Sequence, residues 1–319
     1  MGRYFDDIPH SAINDVLRAR AAYFVDVGLA ESSRLAQRRH VLRFTQFADV
    51  VHMNPFPASE SLLCIWVAHL SQSARAASIK CYLASVRSEH VDRGLLWNGQ
   101  SLRLNRLLRG IQRSQCNVVT KAARLAITAD IVRKLSNCLS SSHNELMLKA
   151  AMWCAVTGLF RIGEVAPLSA SSERLLLLSD LSWSPLSKDL AIRLRRSKTD
   201  IFGRSVSVRI PSQDAVHAMA EYLTSLRKHV AFEDGTPMFC TQNATPLLRR
   251  AFIDSLSMLL RRVEINPSEF RALSFRAGGA SSLAAAGAPI QTIMSQGRWR
   301  SSAVMRYIDV QPPDASLYS

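Results

Sequence analysis

Two arginines occupy positions where a positive charge requires an anionic partner. Arg161 directly follows an apolar stretch at residues 150–160, and Glu164 lies three residues further on. Arg276 stands at the start of a predicted helix, followed closely by a Gly-Gly pair that allows a ligand or a backbone to approach. Guanidinium groups bind phosphate in bidentate fashion, and helix N-termini favour the same anion. Both arginines are therefore candidate phosphate ligands, although Arg161 could instead form an ion pair with Glu164 or lie on the surface.

Two further side chains could act on a phosphate held by these arginines. Lys198 lies in the predicted turn of a hairpin beside Arg195 and Arg196, from which a flexible ammonium could reach into a groove. Tyr307 follows a basic aromatic cluster at residues 297–300 by about two helical turns, and its phenol is a potential nucleophile. Lysines in turns are commonly solvated and isolated tyrosines commonly pack, so neither residue is decisive alone.

The elements that must position these residues are mostly helical. Apolar residues recur every three or four positions through the first 110 residues, which predicts a compact four-helix domain with breaks at 54–57 and 92–94. Residues 112–127 lose this period and gain polar and basic residues, which predicts a linker. Residues 175–211 alternate with period two, as in a β-hairpin, and further helices follow. The predicted fold class is mostly α (α+β), with a small antiparallel sheet in the second domain.

The charge balance favours a polyanionic partner. The 319 residues include 40 Lys and Arg against 25 Asp and Glu, a net charge of +15. The excess is +6 over residues 1–120 and +9 over residues 121–319, as expected if both domains touch one polyanion, with a solvated surface as the alternative. Four arginines are predicted to share one face of the second helix, where they either follow a phosphate backbone or are simply solvated: Arg34, Arg38, Arg39 and Arg43.

Several classes of protein are excluded by the sequence. The longest apolar stretch, at residues 150–160, is shorter than the ~20 residues needed to span a bilayer, and the first residues do not form a signal peptide. The six cysteines are dispersed without a zinc-binding spacing, which favours reduced thiols. We expect a protein that neither spans a membrane nor is secreted, located in the nucleus if eukaryotic and otherwise in the cytoplasm.

Taken in order, the first arginine, the hairpin lysine, the arginine at a helix start, Gly-Arg-Trp and the tyrosine resemble the tyrosine recombinase, or phage integrase, family. The resemblance extends over nearly the whole chain. The Gly-Gly and Gly-Arg-Trp motifs most resemble those in recombinases of eukaryotic mobile elements of the Crypton and DIRS kinds. The family resemblance implies a helical core-binding domain at residues 1–111, a linker at 112–127 and a catalytic domain at 128–319.

The resemblance also implies a reaction, in which duplex DNA is cut and rejoined at specific sites through a 3′-phosphotyrosyl link. Tyr307 would be the nucleophile, and Arg161 and Arg276 would hold the non-bridging oxygens of the phosphate. Lys198 would protonate the 5′-oxygen leaving group, and Glu164 would orient its neighbours. Neither a metal nor another cofactor is implied, and the expected assembly is a homo-tetramer on two DNA sites. The arginines of the second helix, together with Arg195 and Arg196, would bind the DNA.

The sequence departs from the family pattern at two positions. The family usually has a histidine three residues before the second arginine, but Leu273 stands there, and no histidine follows His229. The position nine residues before the tyrosine, usually His or Trp, is Arg298, while Trp299 is one step off and suits the role better chemically. A catalytically degenerate, DNA-binding descendant of a recombinase is thus an alternative. A third hypothesis, an RNA- or partner-binding helical protein, rests on charge alone.

Overall fold

The computed structural model describes residues 9, 11–116, 125–184, 189–196, 204–270 and 274–308. The chain divides into two compact units, Met1–Thr120 and Lys121–Ser319. Within the described residues, no helix combines the length and the apolar composition needed to cross a membrane.

The first unit contains five described helices: α1 (Ala12–Val27), α2 (Glu31–Val50), α3 (Glu60–Ser71), α4 (Ala76–Asp92) and α5 (Leu102–Cys116). Its core is built by the apolar faces of α2 to α5 around the buried rings of Phe44 and Trp66, while α1 buries none of its residues. The sequence predicted four helices because it missed the short break at residues 72–75, which separates α3 from α4. Ser59 caps α3, since its hydroxyl accepts a hydrogen bond of 3.1 Å from Leu62 N.

The prediction that four arginines share one face of α2 is wrong. An α-helix turns about 100° per residue, so Arg34 and Arg38 project from one side and Arg39 and Arg43 from nearly the opposite side. Arg34 forms an ion pair with Asp26 at the end of α1, whereas Arg43 donates a hydrogen bond of 3.1 Å to the Tyr82 hydroxyl on α4.

Both ends of the predicted linker belong to ordered elements. Helix α5 continues through Cys116, beyond the predicted boundary at residue 111. Leu125 N donates to Glu269 O (3.1 Å), and Ile127 N donates to Ser274 O (3.0 Å). Because Ile127 is fully buried in the core of the second unit, the structured part of that unit begins before residue 128. Residues 117–124 lie outside the described part of the chain.

The second unit is mainly helical with one small sheet. Its core joins apolar residues from α7, α9, α10 and the inner face of β2. Its helices and strands are α6 (Ala129–Asn137), α7 (His143–Thr157), α8 (Ile162–Val165), β1 (Leu181–Ser184), β2 (Asp189–Leu194), β3 (Val206–Ile210), α9 (Gln213–Leu226), α10 (Arg249–Arg262), α11 (Ser274–Ala285), α12 (Ile290–Gly297) and α13 (Met305–Ile308).

The three strands form an antiparallel sheet in the order β1-β2-β3. The predicted hairpin is present as β2 and β3, in the register that pairs Ile192 with Val208 and Leu194 with Val206. The inner side chains Ile192 and Leu194 are buried, whereas Val206 at the start of β3 is 42% exposed. Strand β1 adds a third strand, and the mostly α fold with a small antiparallel sheet is confirmed.

Two adjacent glycines allow α11 to lie directly against neighbouring backbone. A Cβ atom on Gly278 would lie 1.9 Å from the carbonyl oxygen of Ile127, and one on Gly279 would lie 2.1 Å from that of Val156 on α7. Any larger side chain at either position would therefore push α11 away. This close contact places Arg276, two residues earlier on α11, beside the turn that follows α7.

A candidate phosphate-binding active site

The turn after α7 presents Arg161 next to a buried carboxylate. Leu159 adopts a left-handed backbone conformation (φ 50°), which is unusual for a residue other than glycine, and Arg161 then caps α8. Glu164 is buried and accepts two hydrogen bonds from Arg161, at 2.9 Å from the backbone N–H to Oε2 and at 2.7 Å from Nη1 to Oε1. The intramolecular ion pair considered from the sequence is thus present, and it leaves 26% of the Arg161 side chain exposed.

Arg298 reaches the same carboxylate from the other end of the unit. Its Nη2 donates to Glu164 Oε2 at 2.8 Å and to Leu159 O at 3.2 Å, and its Nη1 donates to Gly158 O at 3.3 Å. The guanidinium also lies 5.1 Å from the centre of the Phe160 ring. Arg298 therefore ties the end of α12 to the turn that carries Arg161.

Helix α12 is closed by a residue other than glycine. Gly297 is its last helical residue, and the left-handed residue after it is Arg298 (φ 59°). Glycine is required at 297 for a different reason, because a Cβ atom there would lie 1.7 Å from the Trp299 ring.

Arg276 lies at the start of α11, as predicted, and it is completely buried. Its Nη1 donates to Leu159 O at 3.3 Å, its Nη2 donates to Gly297 O, and its Nε has no hydrogen-bond partner. The centre of the Trp299 ring lies 4.2 Å from the Arg276 Cζ atom. A buried donor without a partner is costly, so the group is suited to accept an additional anionic ligand.

Tyr307 on α13 lies beside this arginine. Its ring centre is 5.9 Å from Arg276 Cζ and 5.0 Å from the centre of the Trp299 ring. The Ser281 hydroxyl on α11 donates a hydrogen bond of 3.0 Å to the backbone carbonyl of Tyr307, which fixes α13 against α11. Of the two residues considered for the position before the tyrosine, Trp299 contacts Tyr307 and Arg276, while Arg298 is directed at Glu164.

The electrostatics of this cluster are strongly positive. Glu164 forms ion pairs with Arg161 and Arg298, whereas the buried Arg276 donates to the carbonyls of Leu159 and Gly297. Burial, followed by the neighbouring charges of Arg161 and Arg298, lowers the pKa of Arg276 to about 9. Burial also lowers the pKa of Arg298, against the opposing effect of Glu164. The charged forms are disfavoured in both cases, and an anion bound among these groups would relieve the cost.

The remaining predicted site residues lie elsewhere or are not described. Arg195 pairs with Asp180 (2.7 Å), and Arg196 pairs with Glu173 (2.7 Å), so each already has a carboxylate partner. Lys198 in the hairpin turn and Leu273 before α11 lie outside the described residues. The four arginines of α2 belong to the first unit.

Sequence reasoning missed the backbone acceptors of the cluster. The carbonyl of Leu159 receives hydrogen bonds from both Arg276 and Arg298, and Gly158 and Gly297 provide two more. Every residue has a carbonyl oxygen, so residue type does not mark an acceptor. The Leu159 carbonyl is distinguished only by the left-handed backbone conformation of its residue. No residue type in the sequence signals that turn.

Comparison with known families agrees with this arrangement. Residues 126–313, more than half of the chain, match the model described as the phage integrase family. This chain belongs to the phage integrase family. Among curated proteins, no match to this phage integrase family member was found.

Solved structures of integrases and recombinases share the fold of this family member. The Tn1549 transposon integrase in complex with circular intermediate DNA is 13% identical, with a TM-score of 0.62 over 93% of this chain and 95% of that one. A lambda integrase dimer bound to a COC′ core site is 14% identical, with a TM-score of 0.59 over 94% and 96%. XerH recombinase bound to palindromic difH substrate is 14% identical, with a TM-score of 0.55 over 79% and 69%.

Proposed function

We propose that this phage integrase family member is a tyrosine recombinase that cuts and rejoins duplex DNA through a 3′-phosphotyrosyl intermediate at Tyr307. The supporting observation is the position of the Tyr307 ring 5.9 Å from the Cζ atom of the buried Arg276, within a cluster of three arginines and one carboxylate. The integrase and recombinase structures that share its fold were solved on DNA, which supports the same substrate here.

In the proposed reaction the Tyr307 oxygen attacks the scissile phosphorus, and its proton passes to a solvent water because Leu273 occupies the position of the family's histidine. The new bond joins phosphorus to the tyrosine oxygen, and the bond from phosphorus to the 5′-oxygen breaks. Lys198 supplies the proton that the leaving 5′-hydroxyl needs, and Arg161 and Arg276 stabilise the charge that develops on the non-bridging oxygens. The phosphodiester energy is kept in the covalent link, so the reverse attack by a 5′-hydroxyl reseals the strand.

Glu164 and Arg298 act as positioning residues in this proposal. Glu164 holds both the backbone and the guanidinium of Arg161, and Arg298 holds Glu164 while it also binds the carbonyls of Gly158 and Leu159. The two segments that carry Arg161 and Tyr307 are thereby kept at a fixed separation, which is the geometric requirement of an in-line attack.

Access to Arg276 requires a local rearrangement when DNA binds. Its side chain has no exposed surface, and the Trp299 ring covers it at 4.2 Å. For Arg276 to contact a phosphate, the indole must move aside and phosphate oxygens must replace the carbonyls of Leu159 and Gly297. In this structure the two carbonyls accept the hydrogen bonds that a phosphate would otherwise receive from Arg276.

The proposal is tested with suicide DNA substrates, which trap the covalent intermediate because a nick beside the scissile phosphate lets the leaving fragment diffuse away. Duplex sites are first selected from a random pool by binding to the protein. We expect wild-type protein and the control Tyr23→Phe, whose ring is 61% exposed on α1, to form a covalent adduct, and Tyr307→Phe to form none. Equal adduct from Tyr307→Phe, or none from wild-type protein on any selected site, would reject the proposal.

A second candidate function is that of a DNA-binding protein that has lost strand transfer. It is favoured by Leu273, which stands where the family usually has the histidine that accepts a proton, and by the absence of any histidine after His229. Loss of one general base typically costs ~10²–10⁴-fold in rate. This candidate predicts salt-dependent duplex binding with no adduct over days, whereas a slowed recombinase accumulates adduct in that time.

A further inference from the structure

Helix α11 carries a hydroxyl that reaches the backbone of the candidate nucleophile. The half-buried Ser281 donates a hydrogen bond of 3.0 Å from its hydroxyl to the carbonyl oxygen of Tyr307. A carbonyl oxygen can only accept a hydrogen bond, so a side chain without a donor could not replace the serine. The contact therefore acts on the backbone of Tyr307 and not on its phenol.

The Tyr307 carbonyl is an acceptor that a short helix does not satisfy by itself. The carbonyls in the last turn of an α-helix have no intrahelical partner. The described part of α13, Met305–Ile308, is a single turn. A side-chain donor on a neighbouring element is one way to satisfy such a carbonyl, and here that donor also joins α13 to α11.

The same helix carries Ser281 and Arg276, the candidate phosphate ligand. The two residues are five positions apart, which corresponds to ~7.5 Å along the helix axis at ~1.5 Å per residue. Between them lie Gly278 and Gly279, at which a Cβ atom would come within 1.9 Å and 2.1 Å of neighbouring backbone oxygens. One rigid and closely packed helix thus sets the distance between the guanidinium and the point where the backbone of Tyr307 is held.

The ring contact between Tyr307 and Trp299 cannot hold the nucleophile throughout the proposed reaction. The two ring centres are 5.0 Å apart, and the indole also covers Arg276 at 4.2 Å. Because a phosphate can reach Arg276 only when the indole moves aside, this ring contact must change as DNA binds. The hydrogen bond from Ser281 does not involve the indole and is compatible with both positions of Trp299.

We propose that Ser281 is a positioning residue that holds α13 on α11, so that the Tyr307 phenol stays within reach of a phosphate bound at Arg276 after the indole has moved. This rests on the proposed function, which makes Tyr307 the nucleophile. Ser281 touches no reacting atom. Its hydrogen bond orients the nucleophile, and orientation accelerates an in-line attack without strengthening the binding of DNA in the ground state.

The proposal is tested by a series of substitutions at position 281 that changes the donor. Alanine removes the donor, threonine keeps the hydroxyl, and cysteine offers a weak S–H donor. At saturating suicide substrate we expect Ser281→Ala to form adduct about 3- to 30-fold more slowly than wild-type protein, with an unchanged Kd for duplex DNA. Ser281→Thr should recover most of the rate, and Ser281→Cys an intermediate part of it.

Ser282→Ala is the matched control. Ser282 is the next residue of α11 and is also half-buried, but its side chain forms no hydrogen bond with any described residue. It projects about 100° away from Ser281 around the helix axis, so its variant should react at the wild-type rate. Hydrogen exchange of residues 302–308 gives a second readout, which we expect to be about three- to tenfold faster in Ser281→Ala and restored in Ser281→Thr.

The outcomes separate this proposal from the proposed function. If wild-type protein forms adduct, a wild-type rate in Ser281→Ala or no recovery in Ser281→Thr overturns the role of Ser281 while strand transfer stands. Parallel losses of rate and duplex affinity also overturn it, because they indicate a general structural role. If wild-type protein forms no adduct, strand transfer fails and hydrogen exchange decides alone, since equal exchange in all variants overturns the hold on α13. Circular dichroism verifies folding, and Ser281→Cys replaces Ser281→Ala if the latter does not fold.

Discussion

At the scale of single residues, Glu164 connects the two segments of the proposed active site. Its carboxylate is buried and receives hydrogen bonds from Arg161 and Arg298. Arg298→Ala leaves this buried charge with fewer partners, so we expect a loss of about 1–3 kcal/mol in the free energy of unfolding, measured with urea. We also expect slower adduct formation with little change in DNA affinity.

The control for this prediction is a double-mutant cycle with Glu164→Gln. If the two residues act as a unit, the effects of Arg298→Ala and Glu164→Gln on unfolding and on adduct formation will be less than additive. Arg298→Lys, which keeps the charge, should recover part of the rate. Additive effects, or an unchanged unfolding free energy in Arg298→Ala, would show that Arg298 does not position Glu164.

The lowered pKa of Arg276 predicts stabilisation by anions. In the folded protein its pKa is about 9, below the usual arginine value, so the folded state holds this proton less tightly than the unfolded chain does. By linkage the cost of the buried charge is fully present below pH 9 and is relieved only as the pH rises through that value. At pH 7 to 8, sulfate should therefore raise the Tm more than chloride does at equal ionic strength.

Arg276→Met provides the comparison for the anion effect. The variant lacks the buried charge, so most of the difference between sulfate and chloride should disappear from its thermal unfolding curve. An equal sulfate effect in both proteins would place the stabilising anion outside this cluster.

At the scale of secondary-structure elements, the contact between α11 and its neighbours sets the position of Arg276. Gly279→Ala introduces a Cβ atom 2.1 Å from the carbonyl of Val156, and this backbone cannot retreat without moving α7. We expect a loss of about 2–4 kcal/mol in stability, together with reduced adduct formation, as for other overpacked core sites. Chemical unfolding monitored by circular dichroism measures the first effect.

Gly163→Ala is the matched control for the α11 contact. Gly163 also lies in a helix of the second unit, but a Cβ atom there would meet no neighbour within 4 Å. Because alanine is a better helix former than glycine, this change should leave stability equal or raise it by up to about 1 kcal/mol. Similar losses for both substitutions would contradict the close-contact explanation.

Most elements could be predicted from periodicity and capping. Thr128, a residue type that favours the N-cap position, caps α6 with its hydroxyl accepting from Ile131 N, and the alternation around Ile192 identifies the hairpin. The spacing of the α2 arginines already places them on two sides of the helix, because residues five apart on a helix lie about 140° apart around its axis. The ordered motifs identified Arg161, Arg276, Trp299 and Tyr307, which the structure brings together, but the shared acceptor at Leu159 depends on tertiary packing.

At the scale of the whole molecule, each unit has its own hydrophobic core, and basic residues occur in both. The family resemblance predicts that four protomers assemble on two DNA sites. We expect mass photometry of Tyr307→Phe, which leaves the strands intact, to detect complexes of four protomers and two duplexes. If complexes never grow beyond a single duplex at any protein concentration, the predicted tetramer is wrong.

The most direct measurement of the central claim is the chemical identity of the covalent link. Adduct trapped on a suicide substrate is digested with nuclease and protease, and the modified peptide is sequenced by mass spectrometry. We predict a nucleotide joined through its 3′-phosphate to the oxygen of Tyr307. A link through a 5′-phosphate, or to any other side chain, would contradict the assignment of Tyr307 as the nucleophile.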